Sequence, residues 1–362
     1  MRILIIARPI TFHGGVERAT AGLLEGLVEH GDDVHLLSPG ADPRLRGVTH
    51  HRLTLPPAPP ALRPLVLAAA VRVARGRSWD VVQNHERTLG QDVYRAGEGC
   101  HRGWLAARAR RGRGVYNAVV VALERQVFAR TPRIAAIAKL GKAEIERLYA
   151  VAPARVDVVY NGVDLARFHP SVRARERRSA RAAAAVPGDA PALAFVGSGF
   201  ERKGLATAID ALARLPDDAR LLVVGKGDIG LYHAQAERAG VAKRVAWLGA
   251  RPDVERWYAA ADVVVLPTIY EPFGNVHLEA LASGMPIVTT SRAGGAEVVR
   301  DECGAVVEPG DAAAVAAAVD RLCAGSRPSL EAACRMAAEP FTFAAQAAGF
   351  HAMYRGARGD FP

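Results

Sequence analysis

Short runs rich in Val, Ile, Leu and Ala alternate with helix-length stretches along this chain, and the alternation runs through twice. A repeated strand, helix, strand order buries its apolar runs in a parallel sheet covered on both faces. In the first half, residues 2–7 read as a buried strand, residues 16–30 as a helix closed by Gly31, and residues 33–37 as the next strand. Strands over residues 79–83, 134–137 and 156–159 continue the series. It restarts with strands over 192–197, 220–225, 244–248, 262–267 and 286–290, with helices over 204–215, 232–239 and 275–283 between them. A last helix is expected over 341–354, and the Arg- and Ala-rich stretch 170–191 reads as a boundary connection plus a charged helix. The expected fold class is α/β, with two Rossmann-like units facing a cleft.

The 362 residues suit two domains, and a composition of 50% apolar and 23% charged residues excludes a disordered chain. No segment approaches the ~18–20 apolar residues of a membrane span; residues 65–71 are bracketed by Arg63 and Arg72. The apolar start ends at Arg8-Pro9 with no cleavage-type region after it, so a first strand is expected there rather than a signal peptide. Cys100, Cys303, Cys323 and Cys334 have neither CxxC spacing nor paired histidines nearby, and reduced cytosolic thiols are expected. The net charge of +10 points to an anionic partner.

The sharpest motif is Tyr270-Glu271-Pro272-Phe273-Gly274-Asn275-Val276-His277-Leu278-Glu279, which follows a strand and opens a helix. Ligands of open α/β sheets bind beyond the carboxyl ends of the strands. First-turn amides from Gly274 to Val276 offer donors for a diphosphate. Glu279 lies about 6 Å further along the helix at ~1.5 Å per residue, so two carboxylates stand at different depths beside one anion site. One can accept bonds from sugar hydroxyls and the other from ribose hydroxyls. Standing alone, Glu279 would be an ordinary acid on a surface helix, with Glu271 solvated.

A second motif, Gly197-Ser198-Gly199-Phe200-Glu201-Arg202-Lys203-Gly204, also joins a strand end to a helix. Arg202 offers a bidentate fork and Lys203 a point charge, together able to neutralise a leaving diphosphate. A basic pair on a turn is as often merely solvated. Gly14 and Gly15 after the first strand let the chain approach a ligand closely, although the full G-x-G-x-x-G spacing is absent. His85 follows a strand end and has two readings, an acceptor-facing group or a packed, hydrogen-bonded residue; His277 reads as structural. The run from His101 and Trp104 through Arg108, Arg110, Arg111 and Arg113 is either a solvated face or a patch for an anionic membrane surface.

In order, Asn161-Gly162-Val163-Asp164, Phe168-His169-Pro170, Phe200-Glu201-Arg202-Lys203-Gly204 and Glu271-x7-Glu279 resemble the family-four retaining glycosyltransferases of GT-B fold over essentially the whole chain. Gly90-Gln91-Asp92-Val93-Tyr94, Cys100 and the segment 12–18 are similar, more narrowly, to the lipopolysaccharide core glucosyltransferase I group, which glucosylates inner-core heptose. The resemblance implies that residues 1–162 form an acceptor domain to which the helix 342–362 returns, and that residues 163–341 form a donor domain. It implies that Arg202 and Lys203 contact the donor diphosphate, that Glu271 holds the transferred sugar, and that Glu279 holds the ribose. Phe273, Gly274, Asn275 and Val276 would give backbone contacts, and Gly14 and Gly15 would approach the diphosphate. Arg167 and Arg251 match positions near the nucleotide, and Asp92 an acidic position near the acceptor hydroxyl.

The resemblance further implies a nucleotide-sugar donor, UDP-glucose, as substrate with no cofactor. It implies a lipid-linked glycan acceptor and a cytoplasmic enzyme peripheral on the anionic inner membrane. No D-x-D sequence occurs, in keeping with Arg202 and Lys203 standing in for a metal ion. A nucleic-acid partner would explain the charge but not the paired acids at phosphate-binding helix ends. A mannosyl- or other hexosyltransferase on another glycan, and a GT-B nucleotide-sugar epimerase, share the architecture.

Overall fold

A computed structural model describes residues 1–11, 15–76, 78–108 and 114–358. The chain divides into two compact units, one of residues 1–162 with the segment from 341 onward, the other of residues 163–340.

The first unit holds seven strands: β1 Arg2–Ile6, β2 Asp33–Ser38, β3 Val48–Arg52, β4 Val81–Asn84, β5 Val93–Arg95, β6 Arg133–Ala136 and β7 Val156–Val158. They lie in the order β3-β2-β1-β4-β5-β6-β7, every neighbouring pair parallel. Successive residues of β1 point to opposite faces. Ile3 and Ile5 pack with Leu23, Leu24 and Phe350, whereas Leu4 and Ile6 pack with Val71 and Val82. Covering the first face are the helices Gly15–Glu29 and Phe343–Arg358. They approach so closely that a Cβ on Gly22 would lie 2.4 Å from the Phe343 ring. The Tyr354 hydroxyl donates to Gln83 Oε1 at 2.6 Å and fixes the last helix to β4.

The second unit holds six strands: β8 Ala192–Val196, β9 Arg220–Val224, β10 Val245–Gly249, β11 Val263–Leu266, β12 Ile287–Thr290 and β13 Gly304–Val307. Their order is β10-β9-β8-β11-β12-β13, again all parallel. Leu193, Phe195, Leu221, Val264 and Val288 are fully buried, as a sheet covered on both faces requires. Three arginines at four-residue spacing on the helix Ser171–Ala183, Arg173, Arg177 and Arg181, all reach Asp262. They also donate to the carbonyls of Ala259, Ala260 and Ala261 that end the helix Val254–Ala260. The Arg-rich connection is therefore a helix-capping device.

β3, β5 and β13 add to the strands expected from the sequence. In both sheets the strand order reverses beside the first strand of its unit, between β1 and β4 and between β8 and β11. Crevices at such reversals, on the carboxyl side, are where open α/β sheets bind ligands.

Candidate functional site

In the second unit the reversal lies between the loop after β8 and the loop after β11, and these carry the two sharpest motifs. Backbone ties join them: Ile269 N donates to Arg202 O at 3.0 Å, and Thr268 Oγ1 to the same carbonyl at 2.6 Å. Across this seam Arg202 Nη1 and Lys203 Nζ both donate to Glu271 Oε2 at 2.7 Å. Glu271 and Lys203 are buried and Arg202 is partly exposed. Burial works against the ionised Glu271, but Lys203 and then Arg202 overcome it and hold its carboxyl down to about 2. The cluster therefore carries one anion and two cations at neutral pH.

Glycine shapes this corner. Gly197 has φ +144°, and a Cβ there would lie 2.3 Å from Lys203 Cδ, so the lysine stem runs across the bare glycine. Glu271 N donates to Arg292 O, and Gly294 N and Gly295 N donate to the carbonyls of Glu271 and Phe273. Gly274, at φ +82°, turns the chain into the helix Val276–Ala282 with Asn275 at its amino end. Phe273, Val276 and Glu279 are buried. Glu279 accepts a 2.8 Å hydrogen bond from the Tyr258 hydroxyl on the helix Val254–Ala260. His277 is spent on structure: Nδ1 meets Gly274 O at 2.7 Å, Nε2 meets Thr289 Oγ1 at 2.8 Å, and burial holds its pKa down to about 4.

Arg167 and Arg251 flank the helix Val254–Ala260. Arg167 donates to Glu255 Oε2 at 2.8 and 3.0 Å and to Pro252 O at 2.6 Å. Arg251 pairs with Asp253 at 3.1 Å and lies 5.3 Å from the Trp257 ring centroid. The structure thus gathers Arg202, Lys203, Glu271 and residues 273–276 at one seam, and links Glu279 through Tyr258 to the helix beside Arg167 and Arg251.

In the first unit Asp92 is tied into the sheet. It precedes β5 at the amino end of the strand, and its Oδ2 accepts Val82 N at 2.8 Å. It lies level with Val82 within the sheet, and its carboxylate serves the strand ladder. Two acids stand on the carboxyl side, Glu86 just beyond β4 and Glu98, three residues beyond β5. Glu98 Oε2 accepts Arg87 Nη1 at 2.7 Å, and its Oε1 accepts Arg8 Nη2. Arg8 Nε also donates to Glu86 Oε1 at 3.1 Å. About a third of the Glu98 side chain, 35%, is exposed, so a solute can reach it. Burial opposes its charge, but Arg8 and Arg87 depress its pKa to about 2, whereas burial raises that of Glu86.

His85 resolves to the packed reading. Nε2 meets Gln83 Nε2 at 2.7 Å, Nδ1 meets Thr20 Oγ1 at 3.3 Å, and burial pushes its pKa well down. Asn161 Oδ1 accepts Arg95 Nη2 at 2.6 Å, so this motif residue supports the carboxyl end of β5. Gly15 begins the helix after β1; Phe12, His13 and Gly14 lie outside the described residues. Of the basic run, His101–Ala107 is helical and Arg108 lies 5.7 Å from the Trp104 ring centroid; Arg110, Arg111 and Arg113 lie outside the described residues.

Known proteins resemble this chain in sequence and fold. Residues 13–167 match the sequence family described as Glycosyltransferase Family 4, and residues 190–325 match that described as Glycosyl transferases group 1. An uncharacterized glycosyltransferase of Methanocaldococcus jannaschii is 27% identical over 339 residues, covering 85% of each chain. The D-inositol 3-phosphate glycosyltransferase of Xylanimonas cellulosilytica is 35% identical over 246 residues, 64% of this chain and 58% of that protein. The chain thus spans little more than half of that relative's length. Among solved structures, WaaG, a glycosyltransferase involved in lipopolysaccharide biosynthesis, aligns over 98% of this chain and 100% of its own with a TM-score of 0.82 at 24% identity. Anabaena HepE, solved with UDP and glucose, aligns over 98% and 99% with a TM-score of 0.75 at 20% identity.

Proposed function

The chain is a family-four glycosyltransferase of GT-B fold, and on that premise we propose that it is a retaining, metal-independent hexosyltransferase moving glucose from UDP-glucose to an inner-core heptose of lipopolysaccharide. The observation that carries the reading is the convergence of Arg202 and Lys203 on Glu271 at the sheet reversal. Two cations around one carboxylate leave a surplus positive charge where a diphosphate departs. Stabilising that departing charge is the largest service a protein gives this kind of transfer.

In this reading, Arg202 and Lys203 bear on the diphosphate while ionised Glu271 accepts bonds from the hydroxyls of the transferred sugar. Phe273, Gly274, Asn275 and Val276 line the sugar and phosphate with backbone. Glu279 holds the ribose, Arg167 and Arg251 stand near the nucleotide, and Gly14 and Gly15 approach the diphosphate. The bond from the anomeric carbon to the phosphate oxygen breaks. The acceptor hydroxyl attacks from the same face, and its proton passes to the departing phosphate. Glu98 is the acceptor-side acid, where a carboxylate kept ionised can orient the incoming hydroxyl.

HepE's complex with UDP and glucose supports a UDP-hexose donor. WaaG's part in lipopolysaccharide biosynthesis supports the acceptor. A lipid-anchored acceptor at the cytoplasmic face of an anionic inner membrane also suits the Trp104–Arg108 pair and the exposed Leu62, Leu65 and Val73. No helix among the described residues is long and apolar enough to cross a membrane. A second reading, transfer to an inositol phosphate, is favoured by the 35% identity to the Xylanimonas enzyme.

Thermal shifts with UDP-, GDP- and ADP-sugars test the donor, since a ligand at 100 times its Kd adds about 2.7 kcal/mol. Stabilisation by UDP-glucose alone is expected, and a response only to GDP- or ADP-sugars overturns it. Transfer to heptose-terminated lipopolysaccharide against inositol 3-phosphate then separates the acceptors.

A further inference from the structure

Two histidines and an aspartate with no part in the transfer chemistry meet at the amino edge of the first sheet. His30 follows the helix Gly15–Glu29, Asp32 stands before β2, and His351 lies on the final helix, Phe343–Arg358. The imidazole centroids are 4.0 Å apart. His351 Nε2 is 3.5 Å from Asp32 Oδ1, and His30 Nδ1 is 3.8 Å from Asp32 Oδ2. The candidate ligand atoms all lie within 4.8 Å of one another.

The second observation is on Asp32 itself. Only 3% of its side chain is exposed. Oδ1 accepts the Met1 amine at 2.8 Å, but Oδ2 is buried with no hydrogen-bond partner. A carboxylate oxygen taken from water and given no donor is an unfavourable arrangement. Here Oδ2 faces His30 Nδ1 at 3.8 Å, while His351 Nε2 stands 3.5 Å from Oδ1, so each carboxylate oxygen has one imidazole nitrogen beside it.

We propose that His30, Asp32 and His351 form a binding site for a divalent transition-metal ion of the Zn2+ class, outside the transfer site. Two imidazoles and one carboxylate suit a borderline ion, whereas Ca2+ and Mg2+ favour oxygen ligands alone. Zn–N and Zn–O bonds of about 2.0–2.1 Å in a tetrahedron place ligand atoms roughly 3.4 Å apart. The ligand atoms, spread over up to 4.8 Å with the two imidazoles on different Asp32 oxygens, reach that geometry by closing in around the ion, which the half-exposed His30 ring is free to do. The fourth position is left to water. Neighbouring cations, the Met1 amine and Arg355, oppose the ion and keep the affinity moderate. When filled, the site clamps the last helix to the turn before β2, two segments more than 300 residues apart in the chain.

The test is titration calorimetry and thermal shift with ZnCl2 on tag-free, chelator-treated full chain, with Co2+ absorption as a geometric readout. One ion per chain, a raised Tm and a tetrahedral Co2+ band are expected. His30→Gln, at an exposed position that spares the core, and His351→Gln should each weaken binding by about tenfold or more and remove the Tm rise. His35 Nδ1 and His51 Nε2, 2.8 Å apart, form the rival imidazole pair. His51→Ala should leave binding unchanged. Absence of a bound ion in the wild type, or binding lost with His51→Ala and kept with His30→Gln, overturns the proposal.

Discussion

Lys203 Nζ lies 2.7 Å from Glu271 Oε2, joining a buried cation on the loop after β8 to a buried anion on the loop after β11. The two loops thereby become one surface with the sheet reversal beneath it. Arg202 reaches the same oxygen from the more exposed side. Arg202→Ala and Lys203→Ala are each expected to lower kcat/KM by ~10–150-fold, from about 1.5–3 kcal/mol per charge-assisted bond. Steady-state kinetics check this, and near-wild-type turnover in both variants would remove the leaving-group role. Lys203→Ala should also lower Tm more than Arg202→Ala, because it strips the buried partner from Glu271.

The same carboxylate sets an acid limit. Its folded pKa, held near 2 against an ordinary value of 4.5, is a depressed one. Its stabilising contribution is therefore complete above about pH 4.5 and is lost as pH falls toward 2. The shift corresponds to about 3 kcal/mol at most. Urea unfolding of wild type and Glu271→Gln should show the wild type more stable at pH 7, with the gap closing between pH 4.5 and 2. A gap that stays constant across that window would contradict the ion-pair origin.

Glu98 and Asp92 make opposite predictions although six residues separate them. Glu98→Gln should abolish most transfer while leaving donor-induced thermal stabilisation intact, if its carboxylate orients the acceptor as proposed. Asp92→Asn should cost about 1–2 kcal/mol of stability through its bond to Val82 N and leave turnover per folded molecule nearly unchanged. Paired activity and melting measurements separate the two, and a reversed pattern would restore Asp92 to the acceptor site.

Gly197→Ala adds one carbon where the Lys203 stem passes, in a backbone conformation unsuited to alanine. A loss of roughly 1–3 kcal/mol and weaker UDP-glucose binding are expected together. Retained donor affinity, read by calorimetry, would mean that Lys203 can leave its place without consequence.

The corner proposed to take the donor was legible in the sequence because its parts are local. Arg202 and Lys203 sit in one eight-residue motif and Glu271 in another, each directly after a strand whose apolar run is unmistakable. The corner around Glu98 was not. Glu98 gains meaning only when β4 and β5 lie beside β1, bringing Arg87 and Arg8 to it from distant loops. Asp92 sits close to a strand, as a catalytic acid would, but before the strand rather than beyond it. β3 reads Val-Thr-His-His-Arg and lies at the sheet edge, largely exposed, so it lacks the apolar run that marks β1. β5 is only three residues long, and β13 opens on a glycine.

Phe343 packs on Gly22 and Gly162, so the first unit takes its last structural piece from the tail of the chain. During synthesis the second unit, contiguous in sequence, has all its strands before that piece exists. The half made first is thus the half finished last. Until the tail emerges, the β1 face that Phe350 and Tyr354 cover stays open to water and to other nascent chains.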